Sequence, residues 1–478
     1  MKCVHVLPNC FPESLGGTEV YCWNLCKHLQ RMGVVAEVIT PGYGQYSTTE
    51  YEYDGIKVFK YAEPTIQTRL HINGLDLPEG INHFKSCLIK IRPDLVHIHG
   101  IYRGVGITLQ HIAEIKSLGI PIVYTMHLPG HICTTQTLIR NESQPCDGII
   151  RPKGCATCSM MYQGHNKLFS EMLTGISSYF HKMGIDPGYW NNRLGTALSG
   201  VSRIIDLKRN LGRLSELCDK VVVLSKWFQK MMGLNGFPVE KMEYVHPAIS
   251  YSDAPEIAQK RLRFNNVNTV KLIFVGRIDP VKDVKLLLKA FKNLPEDKIE
   301  LSIYGKPSNL SYYNECIELS ENKRNIHWRG LFSRDELMSI FRQHDMLCLP
   351  SAFSEMSPLV IQEAFGARIP VLASDVLGNA ELINNNVDGI LFPYKSMEIL
   401  QYQLNRLIGD SDLLTTLKNG VILPTPFETV AGKYLSIYLS VRRGNQDISL
   451  RKPVELDDQM ANSPIKHRQY YDARIRKY

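Results

Sequence analysis

The stretch Leu349–Glu381, LPSAFSEMSPLVIQEAFGARIPVLASDVLGNAE, decides how the chain folds. An apolar segment, LCLP, leads into it, and IPVLASD follows after room for a single helix. Ser357 suits an N-cap and Pro358 the first helical position, so the sequence predicts a helix that opens there and carries Leu359 to Phe365. The pattern is strand, loop, helix, strand, a unit whose ligand side is the carboxyl end of its strands. Glu355 and Glu363, with seven residues between them, fall in the loop and about a turn and a half into the helix. Backbone N–H groups left unpaired after Ser357 favour an anion in the same space. Two carboxylates beside an anion cradle suit a phosphorylated polyol: the carboxylates accept from hydroxyls while the helix terminus takes the phosphates.

The wording around the two glutamates, PSxFSExxPLVxxEAxxxxxPVxxS, resembles the donor-site signature of the family-4 retaining glycosyltransferases. That resemblance implies an α/β architecture of the GT-B type, two facing Rossmann-like domains with parallel sheets and a donor site in the cleft between them. It covers roughly Met1 to Arg443 and is densest between Leu272 and Glu381.

Composition is that of a large globular protein. The chain has 478 residues, 44% hydrophobic and 9% aromatic, enough for two to three domains. Its net charge of +8 fits an anionic small substrate or a negatively charged membrane surface. The apolar run before Pro8 is too short for a signal-peptide core, and no later stretch approaches the roughly 18 apolar residues of a membrane span. A cytoplasmic location is the expectation, peripheral at the cytosolic membrane face, with the 12 cysteines mostly reduced. No GxGxxG or GxxxxGK occurs, so neither a dinucleotide dehydrogenase nor a P-loop NTPase has motif support. No nucleic-acid partner is expected.

Taken in order, CVHVLP reads as a first buried strand, the segment from Gly16 as a helix with Val20, Trp23, Leu25, Leu29 and Met32 apolar, and VVAEVITP as a second strand. This is a βαβ opening. Gly16 and Gly17 lie in its first loop, where missing side chains let a ligand approach backbone N–H groups; an ordinary tight turn is the alternative. PDLVHIHG and IPIVYTMH are two further strands of the continuous apolar kind, the second ending at His127. A histidine at a strand end is commonly a structural hydrogen bonder. His97 and His99 read as packing and loop-supporting residues.

From Cys133 to Cys158 the chain reads CTTQTLIRNESQPCDGIIRPKGCATC. Cys133, Cys146, Cys155 and Cys158 can supply four thiolates to a structural zinc ion; a redox pair or unrelated free thiols are the rivals. A metal clip would hold one shape in a loop with few apolar anchors. The helix-rich segment that follows carries Tyr162, Phe169, Tyr179, Phe180, Tyr189 and Trp190, read mainly as core packing, with an acceptor pocket or a membrane contact as alternatives. Ser225 reads as a helix N-cap and VHPAI as the strand that closes the first domain.

Five segments are expected: an acceptor-side domain over 1–249 with its cysteine-containing insertion at about 131–214, a polar linker at 250–269, a nucleotide-sugar domain over 270–425, a helix over 426–443 packing back on the first domain, and a disordered tail over 444–478. In the second domain LIFVGR ends in Arg277, and Lys282 follows five residues later at a helix start. Two cations beside a helix N-terminus make a diphosphate site, against a solvated surface pair. Asp410 and Asp412 form a DxD that reads as a helix cap rather than a metal site.

The resemblance assigns roles to the residues that match. His127 would contact the transferred sugar, Glu355 would hold its hydroxyls and Glu363 the ribose, while Arg277 and Lys282 take the diphosphate. The donor-binding set implied is Gly16, Gly17, Gly276, Arg277, Lys282, Ser357, Pro358, Leu359 and Glu363; the catalytic set is His127, Arg277, Lys282 and Glu355. The implied reaction moves a sugar from a nucleotide diphosphate sugar to a hydroxyl of a glycan or lipid-linked acceptor, in polysaccharide or lipid-linked glycan biosynthesis. No cofactor is expected for that step, since the two cations cover the diphosphate. A nucleotide-sugar epimerase of the same architecture, or an inactive nucleotide-sugar-binding scaffold, is the alternative.

Overall fold

The computed structural model describes residues 1–14, 16–64, 69–72, 76–101, 106–246, 248 and 269–449. Its strands are β1 (Lys2–Val6), β2 (Val35–Tyr43), β3 (Thr49–Tyr53), β4 (Ile56–Glu63), β5 (Leu95–Ile98), β6 (Ile122–Met126), β7 (Ile139–Arg140), β8 (Gln144–Pro145), β9 (Lys220–Val223), β10 (Met242–Tyr244), β11 (Val270–Val275), β12 (Ile299–Tyr304), β13 (Ile326–Gly330), β14 (Met346–Leu349), β15 (Val371–Ser374) and β16 (Gly389–Phe392). They form an eight-stranded sheet in the order β10-β9-β6-β5-β1-β2-β4-β3, a six-stranded sheet in the order β13-β12-β11-β14-β15-β16, and the small hairpin β7-β8.

Every pairing in the six-stranded sheet is parallel, and its strands follow the doubly wound order 3-2-1-4-5-6. The larger sheet is parallel except where β3 turns back on β4. Strands such as IVYTM and MLCL are buried along their whole length, which needs helices on both faces of the sheet. In an open sheet of this kind a crevice forms where the strand order reverses, between β1 and β5 in one sheet and between β11 and β14 in the other. Both halves are Rossmann-like, and the fold is GT-B.

The helix Phe427–Ser449 lies against the larger sheet. Phe427, Val430, Tyr434 and Tyr438 pack with Tyr21, Leu25, Leu95 and Val123 in one buried cluster. The Tyr438 hydroxyl is 2.6 Å from His97 Nδ1, and the Tyr434 hydroxyl is 3.0 Å from Thr125 Oγ1. The helix extends six residues beyond Arg443 into the segment read as a tail; residues 450–478 lie outside the described residues, as does the linker up to residue 268.

Several local readings need correction. Among the described residues the last strand of the first sheet is MEY, Met242–Tyr244; of VHPAI, Val245 continues the ladder, its N–H donating to Val223 O at 3.1 Å, while residues 247 and 249 lie outside the described residues. Asp410 does cap the helix Ser411–Gly420, accepting from the Asp412 and Leu413 N–H groups. Core packing fails for five of the six aromatics of the insertion: Tyr162, Phe169, Tyr179, Tyr189 and Trp190 are exposed, while Phe180 is half-buried.

Candidate active site

Arg277 and Gly276 follow directly on β11, and Ser351 to Glu355 follow β14, so they flank the crevice at the reversal point of the smaller sheet. The turn is tight: a Cβ on Gly305 would stand 1.8 Å from Gly276 O, which leaves glycine as the residue that fits there. Across the crevice Lys282 Nζ is ion-paired to Glu355, which also accepts from Ser351 Oγ at 2.9 Å. Their side chains are only 15% and 10% exposed, so the pair is largely withdrawn from water. Arg277 reaches outward and lies 3.4 Å from Asp279 Oδ2. Asp279 in turn accepts from the Lys282 N–H at 3.1 Å and from Ser308 Oγ at 3.2 Å.

The helix after this loop is Leu359–Gly366, with Pro358 as its N-cap rather than its first residue. Pro358 has ψ 110, an extended value, so the helix starts one residue later than Ser357 and Pro358 predict. Ser357 therefore caps nothing; its hydroxyl is buried without a partner, as is that of Ser354 in the same loop. Glu363 is buried on this helix and pairs with Arg334, whose side chain is exposed. Arg334 carries no signal of its own in the sequence, and only the fold brings it to Glu363.

On the facing domain, Gly16 is the N-cap and Gly17 the first residue of the helix Gly17–Arg31. Thr18 from its first turn, His99 and His127 line a small cavity at the carboxyl ends of β5 and β6, together with Gly100, Tyr124 and Gln136. His127 is the outer member of a chain of imidazoles. His99 Nδ1 stands 3.1 Å from His127 Nε2, and His99 Nε2 stands 3.0 Å from His5 Nδ1. Burial pulls His127 down to about 3 and His99 well below its ordinary range, so both are neutral at pH 7. Burial also acts to lower His5, but the neighbouring Cys26 and Cys3 outweigh it and raise it. The three rings form a relay in which a proton on one nitrogen of neutral His99 obliges the other to accept, so the tautomer of His99 fixes which nitrogen of His127 carries its proton. His99 is thus a partner of the candidate site, beyond the packing role its alternation on the strand suggests.

The two domains touch around the loop that holds Ser351 to Glu355. Ser354 N–H donates to Thr137 O at 2.8 Å, which joins that loop to the cysteine-containing loop of the first domain. Met356 packs into the first domain's core cluster. Ser225 holds the N-cap position of the helix Lys226–Leu234, yet its hydroxyl makes no capping bond. The cap comes from the other domain: Glu381 accepts from the Lys226 and Trp227 N–H groups, each at 2.8 Å.

Cys133, Cys146, Cys155 and Cys158 are free thiols that line one cavity of about 400 Å³, between the β7–β8 hairpin and the helix Pro152–Met161. Three of their sulfurs accept backbone N–H bonds, from Gly148 at 3.4 Å, Arg151 at 3.3 Å and Asn141 at 3.3 Å. Among the described residues, the trio of candidate ligand atoms that falls within 4.8 Å is His5, Cys22 and His99, so the four thiols stand wider apart than a closed tetrahedral shell.

The chain matches two families, the one described as Glycosyltransferase Family 4 over residues 15–153 and the one described as Glycosyl transferases group 1 over residues 256–421. An uncharacterized glycosyltransferase of Methanocaldococcus jannaschii is 21% identical over 442 residues, which cover 89% of this chain and 95% of that protein. A D-inositol 3-phosphate glycosyltransferase of a Mycobacterium species is 26% identical over 170 residues, 34% of this chain and 38% of the relative. In fold, the chain is similar to Anabaena HepE in complex with UDP-glucose, with a TM-score of 0.56 at 13% identity, covering 95% of this chain and 100% of that one. It is also similar to a sucrose-phosphate synthase of Thermosynechococcus elongatus, with a TM-score of 0.60 at 15% identity, covering 93% and 99%. The two matched segments fall on the two Rossmann-like halves and hold His127 and the Arg277, Lys282, Glu355 and Glu363 set respectively, and the chain belongs to the family-4 glycosyltransferases of GT-B fold.

Proposed function

We propose that the protein transfers a sugar from a nucleotide diphosphate sugar to a hydroxyl acceptor with retention at the anomeric carbon. The observation that carries this reading is the meeting of Arg277, Lys282 and Glu355 at the strand-order reversal of the smaller sheet, beside the helix Leu359–Gly366. Support for the donor class comes from Anabaena HepE, a neighbour in fold that binds UDP-glucose. Breaking the glycosidic bond builds positive charge on the sugar and negative charge on the leaving diphosphate. Arg277, Lys282 and the N–H groups at the start of the helix Leu359–Gly366 stabilise the latter, each worth on the order of 2–4 kcal/mol when preorganised. The ion pair with Glu355 keeps the Lys282 ammonium in place, and donor phosphate competes for it as the sugar hydroxyls take over Glu355. Glu363 accepts from the ribose, and the unpartnered hydroxyls of Ser354 and Ser357 are further groups for the same ligand. His127 presents Nδ1 to a hydroxyl of the transferred sugar. The acceptor is a glycan or lipid-linked hydroxyl, and the protein works at the cytosolic face of a membrane.

The test is thermal unfolding of wild type and Glu363→Ala with UDP, GDP, ADP and no ligand, followed by donor turnover with and without acceptor. A nucleotide at 100 times its dissociation constant stabilises the native state by about 2.7 kcal/mol. One nucleotide shifts the wild type and not the variant, and donor is consumed only with acceptor present. Turnover without acceptor would mean an epimerase, binding with no turnover in either case an inactive scaffold, and no shift with any nucleotide would overturn the donor site.

For the four thiols we propose a structural zinc ion. The three backbone N–H bonds to sulfur support it, since such bonds act to favour thiolate against the burial that raises these thiols, and all four cysteines line the one cavity. The clip would steady the loop whose Thr137 carbonyl holds Ser354. Metal content of the purified protein decides it: zinc is present in wild type and lost in Cys155→Ser/Cys158→Ser, and its absence from wild type overturns the assignment.

A further inference from the structure

The helix Lys167–Lys182 is turned inside out. Its buried residues are the small hydroxyls Ser170, Thr174, Ser177 and Ser178, held by specific bonds: Ser170 Oγ donates to Asn166 O at 2.9 Å, Thr157 Oγ1 to Thr174 Oγ1 at 3.0 Å, and Val201 N–H to Ser177 Oγ at 2.9 Å. Leu173 and Phe180 are half-buried, and its other large apolar residues face outward. Leu168, Met172, Ile176, Tyr179 and, just past its end, Met183 recur at spacings of four, four, three and four, which is a single helical stripe. Leu168 is 80% exposed and Tyr179 62%. Tyr189 and Trp190, on the turn after the helix, are exposed too, and Trp190 packs edge-on against Phe180 of the same helix. A surface helix ordinarily buries such a stripe, and an exposed apolar patch of this extent marks a contact surface.

Charge says what the contact is. Across the helix and the aromatic turn, residues 167–193, Lys167, Lys182 and Arg193 stand against Glu171, 4.0 Å from Lys167, and Asp186, whose carboxylate is taken up in capping the turn Pro187–Trp190. Lys167 and Lys182 stand at the two ends of the helix, and Arg193 follows the aromatic turn. An apolar stripe with Tyr and Trp at its margin and cations around it is the pattern of a helix lying in a lipid interface. No helix among the described residues is long and apolar enough to cross a membrane, so the mode is lying on the surface rather than spanning. We propose that the outward face of Lys167–Lys182, with Tyr189 and Trp190, docks on an anionic membrane surface. Leu168, Met172 and Tyr179 enter the acyl boundary while Lys167, Lys182 and Arg193 meet the lipid phosphates. This names the membrane contact of the function proposed above, and it stands independently of the donor chemistry.

Co-sedimentation of the full chain with phosphatidylcholine vesicles and with phosphatidylglycerol-containing vesicles tests it. Wild type pellets with the anionic vesicles and not with the neutral ones, and added salt weakens the binding. Leu168→Glu/Met172→Glu/Tyr179→Glu abolishes pelleting, while nucleotide protection in thermal unfolding, read on the same sample, is unchanged and reports separately on the donor site. Should that variant fail to fold, Lys167→Gln and Lys182→Gln serve instead, each weakening partition roughly five-fold. Wild type left in the supernatant with every vesicle overturns the proposal, as does equal binding to both compositions. So does a wild-type dimer that the triple variant converts to monomer without vesicles, which would make the face a contact between copies of the chain.

Discussion

His99 Nδ1 and His127 Nε2 stand 3.1 Å apart, so the histidine at the candidate site is oriented by a buried neighbour. Because His5 occupies the other ring nitrogen of His99, the proton order of the three rings is set from inside the domain. His99→Phe keeps the volume and removes both bonds. It should lower kcat roughly 10- to 100-fold, as loss of an orienting partner of a working histidine commonly does, with KM for donor little changed. His99→Gln, which can restore one bond, should recover part of the rate. Steady-state kinetics of the two variants decide it; unchanged kcat in a folded His99→Phe protein would remove the orienting role.

Lys282 and Glu355 are a largely buried pair, so cutting either side strands the other. In Lys282→Ala the Glu355 carboxylate retains only Ser351 Oγ among its hydrogen-bond partners in the loop, and a loss of about 3–5 kcal/mol of stability follows. Lys282→Ala/Glu355→Ala should be more stable than the single variant and equally inactive. Chemical denaturation of both proteins checks the first statement and donor turnover the second; a double variant less stable than the single one would mean the pair is not the source of the loss.

Gly378 holds the donor loop from behind. A Cβ placed on it would stand 1.8 Å from Glu355 O, and the atom in the way is backbone. Gly378→Ala must therefore push the Glu355 loop into the cleft, at a cost of about 1–3 kcal/mol. Donor affinity should fall by more than the fold does, because Glu355 and Ser354 both move. Nucleotide titration by calorimetry at a temperature where the variant is still folded separates the two effects, and wild-type affinity there would show that the loop absorbs the extra methyl.

Acid should unfold the protein through its histidines. Burial pulls His111 and His127 from the ordinary 6.5 to about 3, and His97 and His99 are also well below their usual range. Each binds a proton in the unfolded chain before it does in the folded one, so stability is present above pH 6.5 and is lost as pH falls from there toward 3. His5 is raised and is protonated in both states well below pH 6.5, so it adds no slope there. From pH 6.5 to pH 5, His111 and His127 should each remove about 1.5 kcal/mol. His111→Gln should flatten its share of the dependence, and a denaturation midpoint that does not move over this window would contradict the burial.

The fold around the second domain's candidate site was legible because its information is local. Glu355, Pro358 and Glu363 sit within nine residues, the strands around them are unbroken apolar runs, and Arg277 and Lys282 are five apart. What escaped depends on partners far along the chain. Ser225 has the right residue type for a cap, but the carboxylate that does the capping is Glu381, 155 residues away from Lys226. Arg334 meets Glu363 only through the fold, and His99 looks like any alternating strand residue until β6 brings His127 beside it. β3 reads TEYEY and is exposed at nearly every position, so no apolar alternation marks it. The insertion misled for a related reason. Aromatic content tells that a segment has something to bury, while the direction of burial in Lys167–Lys182 is set by which face the neighbouring helices take, and they take the serines.

The Glu381 cap is one of the ties between the domains, and a single substitution removes it. Its two oxygens accept from Lys226 N and Trp227 N at 2.8 Å, at the N-terminus of a helix in the opposite domain, where a negative charge is also favoured by the helix dipole. The Ser225 hydroxyl is in position to replace it only if the side chain turns, since in the present arrangement it bonds to nothing. Glu381→Ala should therefore cost about 1–2 kcal/mol and shift the two domains toward a more open arrangement. Small-angle scattering without nucleotide should show a larger radius of gyration than wild type, and saturating nucleotide should bring the two proteins back together, because donor bound in the crevice supplies contacts to both halves. An equal radius in the absence of nucleotide would mean that the Ser354–Thr137 bond and the packing of Met356 hold the domains without the glutamate.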